Sequence, residues 1–145
     1  MANIILCDID GTVANNDHRQ HFLEGKKDWD GFFDALGLDQ PIYEIINKMN
    51  YEHAKGREII FLTGRPERYR DSTEKWLKQY FNFPLQVVMR PNKNKRNKLL
   101  TKKEMFEKNF DIDEIFYVID NDEQLLKMWA DMQLKVVDVT DITSQ

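Results

Sequence analysis

Ile4-Ile5-Leu6-Cys7 is an unbroken apolar run, and it leads straight into Asp8-Ile9-Asp10-Gly11-Thr12. Consecutive apolar positions without polar alternation predict a strand buried on both faces, which requires a parallel sheet with helices on either side. Gly11 marks where that strand stops. A carboxylate at the end of such a strand is costly unless a cation or several donors meet it. Residue frequencies produce Asp-x-Asp-Gly-Thr by chance in only about one chain in a thousand of this length. The feature therefore constrains fold and chemistry together.

The rest of the chain alternates in the way that frame demands. Residues 58–62, 85–89, 115–119 and 134–139 predict four further strands, giving a sheet of about five. Between them, Ile42, Ile45, Ile46, Met49 and His53 recur at helical spacing, from Pro41 in a first turn to Gly56 as the C-terminal stop. Pro66 can open a second helix with Tyr69, Trp76, Leu77 and Tyr80 on its apolar face. Thr101-x-x-Glu104 reads as a capping box ahead of Met105 and Phe106, and Leu125, Leu126, Met128 and Trp129 mark a last helix. The expected fold is α/β, a doubly wound, Rossmann-like parallel sheet. Residues 13–40 are largely polar, with aromatics at Phe22, Trp29, Phe32 and Phe33, and predict a small cap-like insert with one or two short helices. The 145 residues are expected to form a single domain, 1–145, with no second catalytic domain attached.

In open α/β sheets ligands bind beyond the carboxyl ends of the strands. That rule brings Asp8 and Asp10, Thr63-Gly64-Arg65, and Asp120-Asn121-Asp122 to one edge. Clustered carboxylates repel unless a cation sits among them, and carboxylate-rich oxygen sites suit Mg²⁺ together with a substrate phosphate. Plainer readings stand beside this one. Asp122 serves equally well as a helix cap, and Thr63-Gly64 alone is an ordinary strand-to-helix turn. Cys7 reads as a small buried residue, His18 and His21 as surface residues, Trp76 and Trp129 as core. Trp29 suits packing of the insert or stacking against a nucleobase.

Composition narrows the partners. The 21 basic and 25 acidic side chains give a net charge of -4, which argues against a protein that coats nucleic acid. Yet residues 90–103 hold seven basic side chains and no acidic one. A run of that kind is usually a solvated loop, but this one leaves a strand end on the acidic edge, where it would attract phosphate. Cys7 alone forms no internal disulfide, no apolar run approaches the ~18 residues of a membrane span, and the first residues lack a signal-peptide pattern. A cytoplasmic setting without membrane contact is the expectation.

With Asp8-Ile9-Asp10-Gly11-Thr12, Thr63-Gly64-Arg65 and Asp120 in that order, the chain resembles the haloacid dehalogenase superfamily of phosphatases. Arg19, eleven residues after Asp8, then Asp28-Trp29, Met89-Arg90-Pro91, Gln124 and Met128-Trp129 make it most similar to the 3′-phosphatase domains of bacteriophage polynucleotide kinase-phosphatases. The resemblance implies Asp8 as nucleophile through an aspartyl-phosphate and Asp10 as general acid and base. It implies Mg²⁺ held by Asp8, the carbonyl of Asp10, and Asp120. It implies Thr63 and Gly64 on the phosphate at the start of the next helix, Lys102 as the catalytic cation, and Arg19 and Arg65 on the substrate. Two departures stand out. Lys98 occupies a position that is usually acidic, so Lys98 or Lys102 could be the functional lysine. Asn121 follows Asp120 where a second acid is usual, with Asn121 or Asp122 left as outer metal contacts. The implied substrate is a phosphorylated nucleic-acid terminus, with a separate kinase or ligase as partner. The alternatives are a nucleoside monophosphate phosphatase and a non-catalytic nucleic-acid-binding module of the same fold.

Overall fold

The computed structural model describes residues 2–143. Strand β1 (Ile4–Cys7) is fully buried and pairs in parallel on both sides, with β4 (Glu58–Pro66) and β6 (Ile115–Asp120). The outer strands β5 (Val87–Arg90) and β7 (Val136–Asp138) complete a five-stranded parallel sheet of order β5-β4-β1-β6-β7. A second, two-stranded sheet pairs β2 (Ala14–Asn15) with β3 (Gln40–Pro41) in antiparallel fashion. This is the expected doubly wound frame.

Strand periodicity divides the core between the two faces. Ile5 and Cys7 point to one side, where they pack with Ile45 and Met49 of α2 (Tyr43–Ala54) and with Trp76 and Leu77 of α3 (Arg70–Leu77). Ile4 and Leu6 point to the other, against Met105 and Phe106 of α4 (Lys98–Asn109) and Leu125 and Trp129 of α5 (Glu123–Asp131). The last turn, α6, spans Thr140–Thr143. The insert has its own small core of Phe32, Phe33 and Leu36, formed by α1 (Trp29–Asp34) and two 3₁₀ stretches, Asp17–Leu23 and Leu36–Leu38.

Three local expectations change. Pro41 does not open α2. It pairs with Ala14 in β3, where a missing N–H is tolerated on an edge strand, and α2 begins at Tyr43. Thr101 and Glu104 are not a capping box. They lie inside α4, whose N-cap is Asn97, its side chain accepting from the amide of Leu100. Asn caps as well as Thr, and Glu104 instead pairs with Arg96. The strand expected at 58–62 runs on to Pro66, so Thr63, Gly64 and Arg65 are extended backbone and not a helix start.

Candidate active site

Asp8 follows β1 directly, and its amide donates to the carbonyl of Ile119 on β6. Its side chain is almost wholly buried, as are those of Lys102 on α4 and Asp120 at the end of β6. Lys102 Nζ lies 2.7 Å from Asp8 Oδ1 and 3.5 Å from Asp120 Oδ2. Thr12 Oγ1 donates to Asp8 Oδ2 at 3.1 Å. Burial and the nearby Asp120 charge push the Asp8 carboxyl up to about 7, against the pull of Lys102. Lys102 is also buried, which works against its charge, but Asp120 and Asp8 outweigh this and raise its pKa. The pairing separates the two lysines. Lys98 is exposed, 2.5 Å from Asp122, and does not reach Asp8.

Asp10, two residues on, is held differently. The chain turns at Gly11, and the Asp10 carboxylate meets two guanidinium groups. Arg19 Nη2 reaches Asp10 Oδ1 at 2.5 Å, and Arg65 reaches it through Nη2 at 2.9 Å and through Nε to Oδ2 at 3.2 Å. Burial works to raise the Asp10 pKa, but Arg65 first and Arg19 second lower it overall. Arg19 and Arg65 are themselves almost fully buried. Behind Asp10 they grip Asp39, so neither guanidinium projects toward solvent. Thr63 is also buried and accepts from the amide of Arg65 at 3.1 Å, while Gly64 beside it borders open space. The N-terminus of the next helical stretch lies at Pro66, two residues past Gly64.

The donor set for a metal is mixed. Among the described residues no three acidic, histidine or cysteine side chains converge on one point. Instead, the terminal amide group of Asn121 approaches both Asp8 Oδ2 and the Asp10 carbonyl at 3.0 Å. Turned with nitrogen inward it donates to both; turned with oxygen inward it completes a cluster of three oxygens, the arrangement a hard cation occupies. Gly11 makes this possible. Its φ is +80°, and a Cβ there would come within 2.2 Å of the Asn121 side chain. Asp120 adds a second carboxylate, with Oδ1 held by the amides of Asn121 and Asp122 at 2.8 and 3.1 Å. Oxygen donors of this kind fit Mg²⁺. Asp122 is turned away: it caps α5 through the amide of Leu125 and pairs with Lys98, which with that amide overcomes burial and lowers its pKa. Asp39 is the residue that sequence reasoning missed, because one buried acid in a polar stretch leaves no periodic trace.

Against the phosphatase-domain family of polynucleotide kinase PNKP the chain matches over residues 2–142. It belongs to that family. It is a phosphatase domain of the haloacid dehalogenase type, a group that generally uses a divalent metal. A viral relative, from Autographa californica nuclear polyhedrosis virus and assigned as a bifunctional polynucleotide kinase/RNA ligase, is 25% identical over 137 residues. That match covers 92% of this chain but 18% of the viral protein. Among solved structures, a chain of the Pnkp1/Rnl/Hen1 complex superimposes with a TM-score of 0.77 at 23% identity, covering 94% of this chain and 46% of that one. A class C acid phosphatase from Bacillus anthracis with tungstate bound gives 0.63 at 18% identity, covering 95% of this chain and 66% of that one. These likenesses carry the fold. The chain spans less than half of the Pnkp1 complex chain and under a fifth of the viral protein. No helix among the described residues is long and apolar enough to cross a membrane.

Proposed function

We propose that this domain is a Mg²⁺-dependent phosphomonoesterase that removes a 3′-phosphate from a polynucleotide end through an aspartyl-phosphate. The observation that carries it is the pairing of Asp8 on Lys102 with Asp10 on two arginines. Two carboxylates whose surroundings push their pKa values apart are the signature of divided roles.

In this reading an Asp8 oxygen attacks phosphorus. Lys102 offsets the charge of nucleophile and phosphate, and Thr12 fixes the carboxylate's rotation. Asp8, the carbonyl of Asp10, and Asp120 would hold Mg²⁺, with the Asn121 side chain beside them. When bound, the ion neutralises phosphate charge and keeps Asp8 ionised. Asp10 protonates the departing sugar oxygen, then takes a proton from the water that attacks the acylated phosphorus, releasing inorganic phosphate. On its two arginines Asp10 is ionised and ready as a base. To serve as an acid it takes up a proton on Oδ2, which meets only Arg65 Nε at 3.2 Å, while the arginine bonds to Oδ1 keep its orientation. Gly64, next to the buried Thr63, borders open space where the phosphate oxygens would lie.

The polynucleotide reading is supported by exposed basic and aromatic side chains on the insert and on the loop after β5. Trp29 is half exposed, with Lys27 over its ring. Next to it Asp30 pairs with Arg68, whose amide donates to Asn92 at 2.7 Å in the basic loop, where Lys93 and Lys95 are exposed. Such side chains suit a sugar-phosphate chain and a stacked base. A nucleoside monophosphatase is favoured by a separate observation, a hollow of about 450 Å³ on the β7 side between Asn121, Ile42 and the exposed Tyr43. That is room enough for one nucleoside. Assaying a 3′-phosphorylated oligonucleotide beside 3′- and 5′-mononucleotides separates them. The oligonucleotide is expected to have the highest kcat/KM; mononucleotides turned over far faster would overturn the polynucleotide reading.

A further inference from the structure

Asp39 lies in the insert immediately before β3, and its side chain is fully shielded from solvent. A carboxylate in such a place needs partners. It accepts from Arg19 Nε at 2.8 Å, Arg19 Nη2 at 2.8 Å, Arg65 Nη2 at 3.3 Å, and lies 2.6 Å from His18 Nε2. Its backbone carbonyl accepts from the indole of Trp76 at 3.0 Å, which ties the residue to the core beneath α3. The Nη2 atoms of both arginines bridge Asp39 Oδ2 and Asp10 Oδ1. Asp39, Arg19, Asp10 and Arg65 therefore form a closed square of alternating charge. Three corners are fully buried, and only Asp10, with 23% of its side chain exposed, opens toward the cleft.

We propose that Asp39 is a positioning residue for the phosphatase reaction, holding Arg19 and Arg65 where they orient the carboxylate of Asp10. Without it, two guanidinium groups would share one carboxylate, and their mutual repulsion would spread them. His18, a third exposed, buttresses the outer side of Asp39. Further contacts seat the arginines: Arg65 Nη1 donates to Thr73 at 3.0 Å, and the Arg19 guanidinium lies over the ring of Phe32 at 4.3 Å. Asp39 itself touches neither the proposed metal donors nor the nucleophile. The proposal rests on the reading of Asp10 as the group that protonates the leaving oxygen.

Asp39→Asn keeps the shape and removes the charge. The test compares kcat/KM, which reports steps up to leaving-group departure, on a 3′-phosphorylated oligonucleotide and on p-nitrophenyl phosphate. The sugar alkoxide needs a proton to leave and nitrophenolate does not. Asp39→Asn is expected to lose about 10- to 100-fold on the oligonucleotide, within the range of general acid catalysis, and less than about threefold on the aryl ester. Asp10→Asn sets the benchmark for that selectivity, and the double variant should lose little beyond Asp10→Asn alone. Equal losses on both esters, or none on either in a protein with wild-type melting temperature, would overturn the proposal. Should Asp39→Asn not fold, His18→Gln carries the test, with a smaller loss of the same selectivity expected and equal losses overturning it. No turnover of either ester by the wild-type protein would overturn the phosphatase reading and this proposal with it. A selective Asp10→Asn beside an unselective Asp39→Asn overturns the role of Asp39 alone.

Discussion

Asp8 and Asp10 stand two residues apart on one turn of chain, yet their surroundings differ in almost every respect. Asp8 is buried beside a second acid, Asp120, with one lysine between them, and its carboxyl is pushed up to about 7. Asp10 faces two guanidinium groups, and its carboxyl is held below the usual range despite burial. The first half of the site carries a surplus of negative charge that a cation relieves. The second half is already neutral, because Asp39 balances the second arginine. The contrast teaches that charge balance, more than position along the strand, assigns the roles. An acid left short of positive charge suits a metal and a phosphate, and an acid that is fully paired waits for a proton.

The comparison breaks most sharply at Asp8. Asp8→Asn is expected to lower phosphate release by at least roughly 10⁴-fold, since no other group can carry the phosphoryl. Asp10→Asn should cost about 10²–10⁴-fold on alkyl phosphates, the range of a general acid-base residue. The lysines come next. Lys102→Met is expected to cost roughly 10²-fold, whereas Lys98→Met, which removes an exposed ion pair, should stay within about twofold in steady-state assays. The smallest effect is on stability. In metal-free protein Asp8 keeps its proton through a range where the unfolded chain has released it, from about pH 4 to 7. The fold binds the extra proton, so this contribution is complete below that window and is lost as pH rises through it. Asp8→Asn should therefore raise thermal stability in chelator at pH 8, by about 2 kcal/mol, and by little at pH 5. An equal gain at both pH values would remove the premise that Asp8 is short of positive charge.

Much of this frame was legible in the sequence, because burial on both faces and 3.6-residue periodicity leave direct traces. The apolar run at β1, the helix faces of α2, α3 and α5, and the approach of Asp8 and Asp120 at one sheet edge all follow from such patterns. Capping was less legible: Asn97, Thr101 and Glu104 all suit helix starts, and only tertiary packing decides that Thr101 is buried inside α4. Arg19 and Arg65 could be named but not oriented. Sequence placed them on the substrate; the structure turns both guanidiniums inward onto Asp10 and Asp39. Asp39 left no signal, since its partners come from three separate segments. The choice between Lys98 and Lys102 likewise needed the α4 register, which aims only Lys102 at Asp8.

The central claim, that Asp8 alone becomes covalently phosphorylated while Asp10 moves protons, is open to one direct measurement. Asp10→Asn, which should slow hydrolysis of the acyl phosphate, is mixed with Mg²⁺ and p-nitrophenyl phosphate, an ester whose leaving group needs no proton. Acid quenching, digestion and mass spectrometry then locate the phosphoryl group. The account predicts one phosphoryl group on the peptide containing Asp8, absent when Asp8 is also changed to Asn. Nitrophenol released with no phosphoryl group on any peptide, or with the group on another residue, would contradict it.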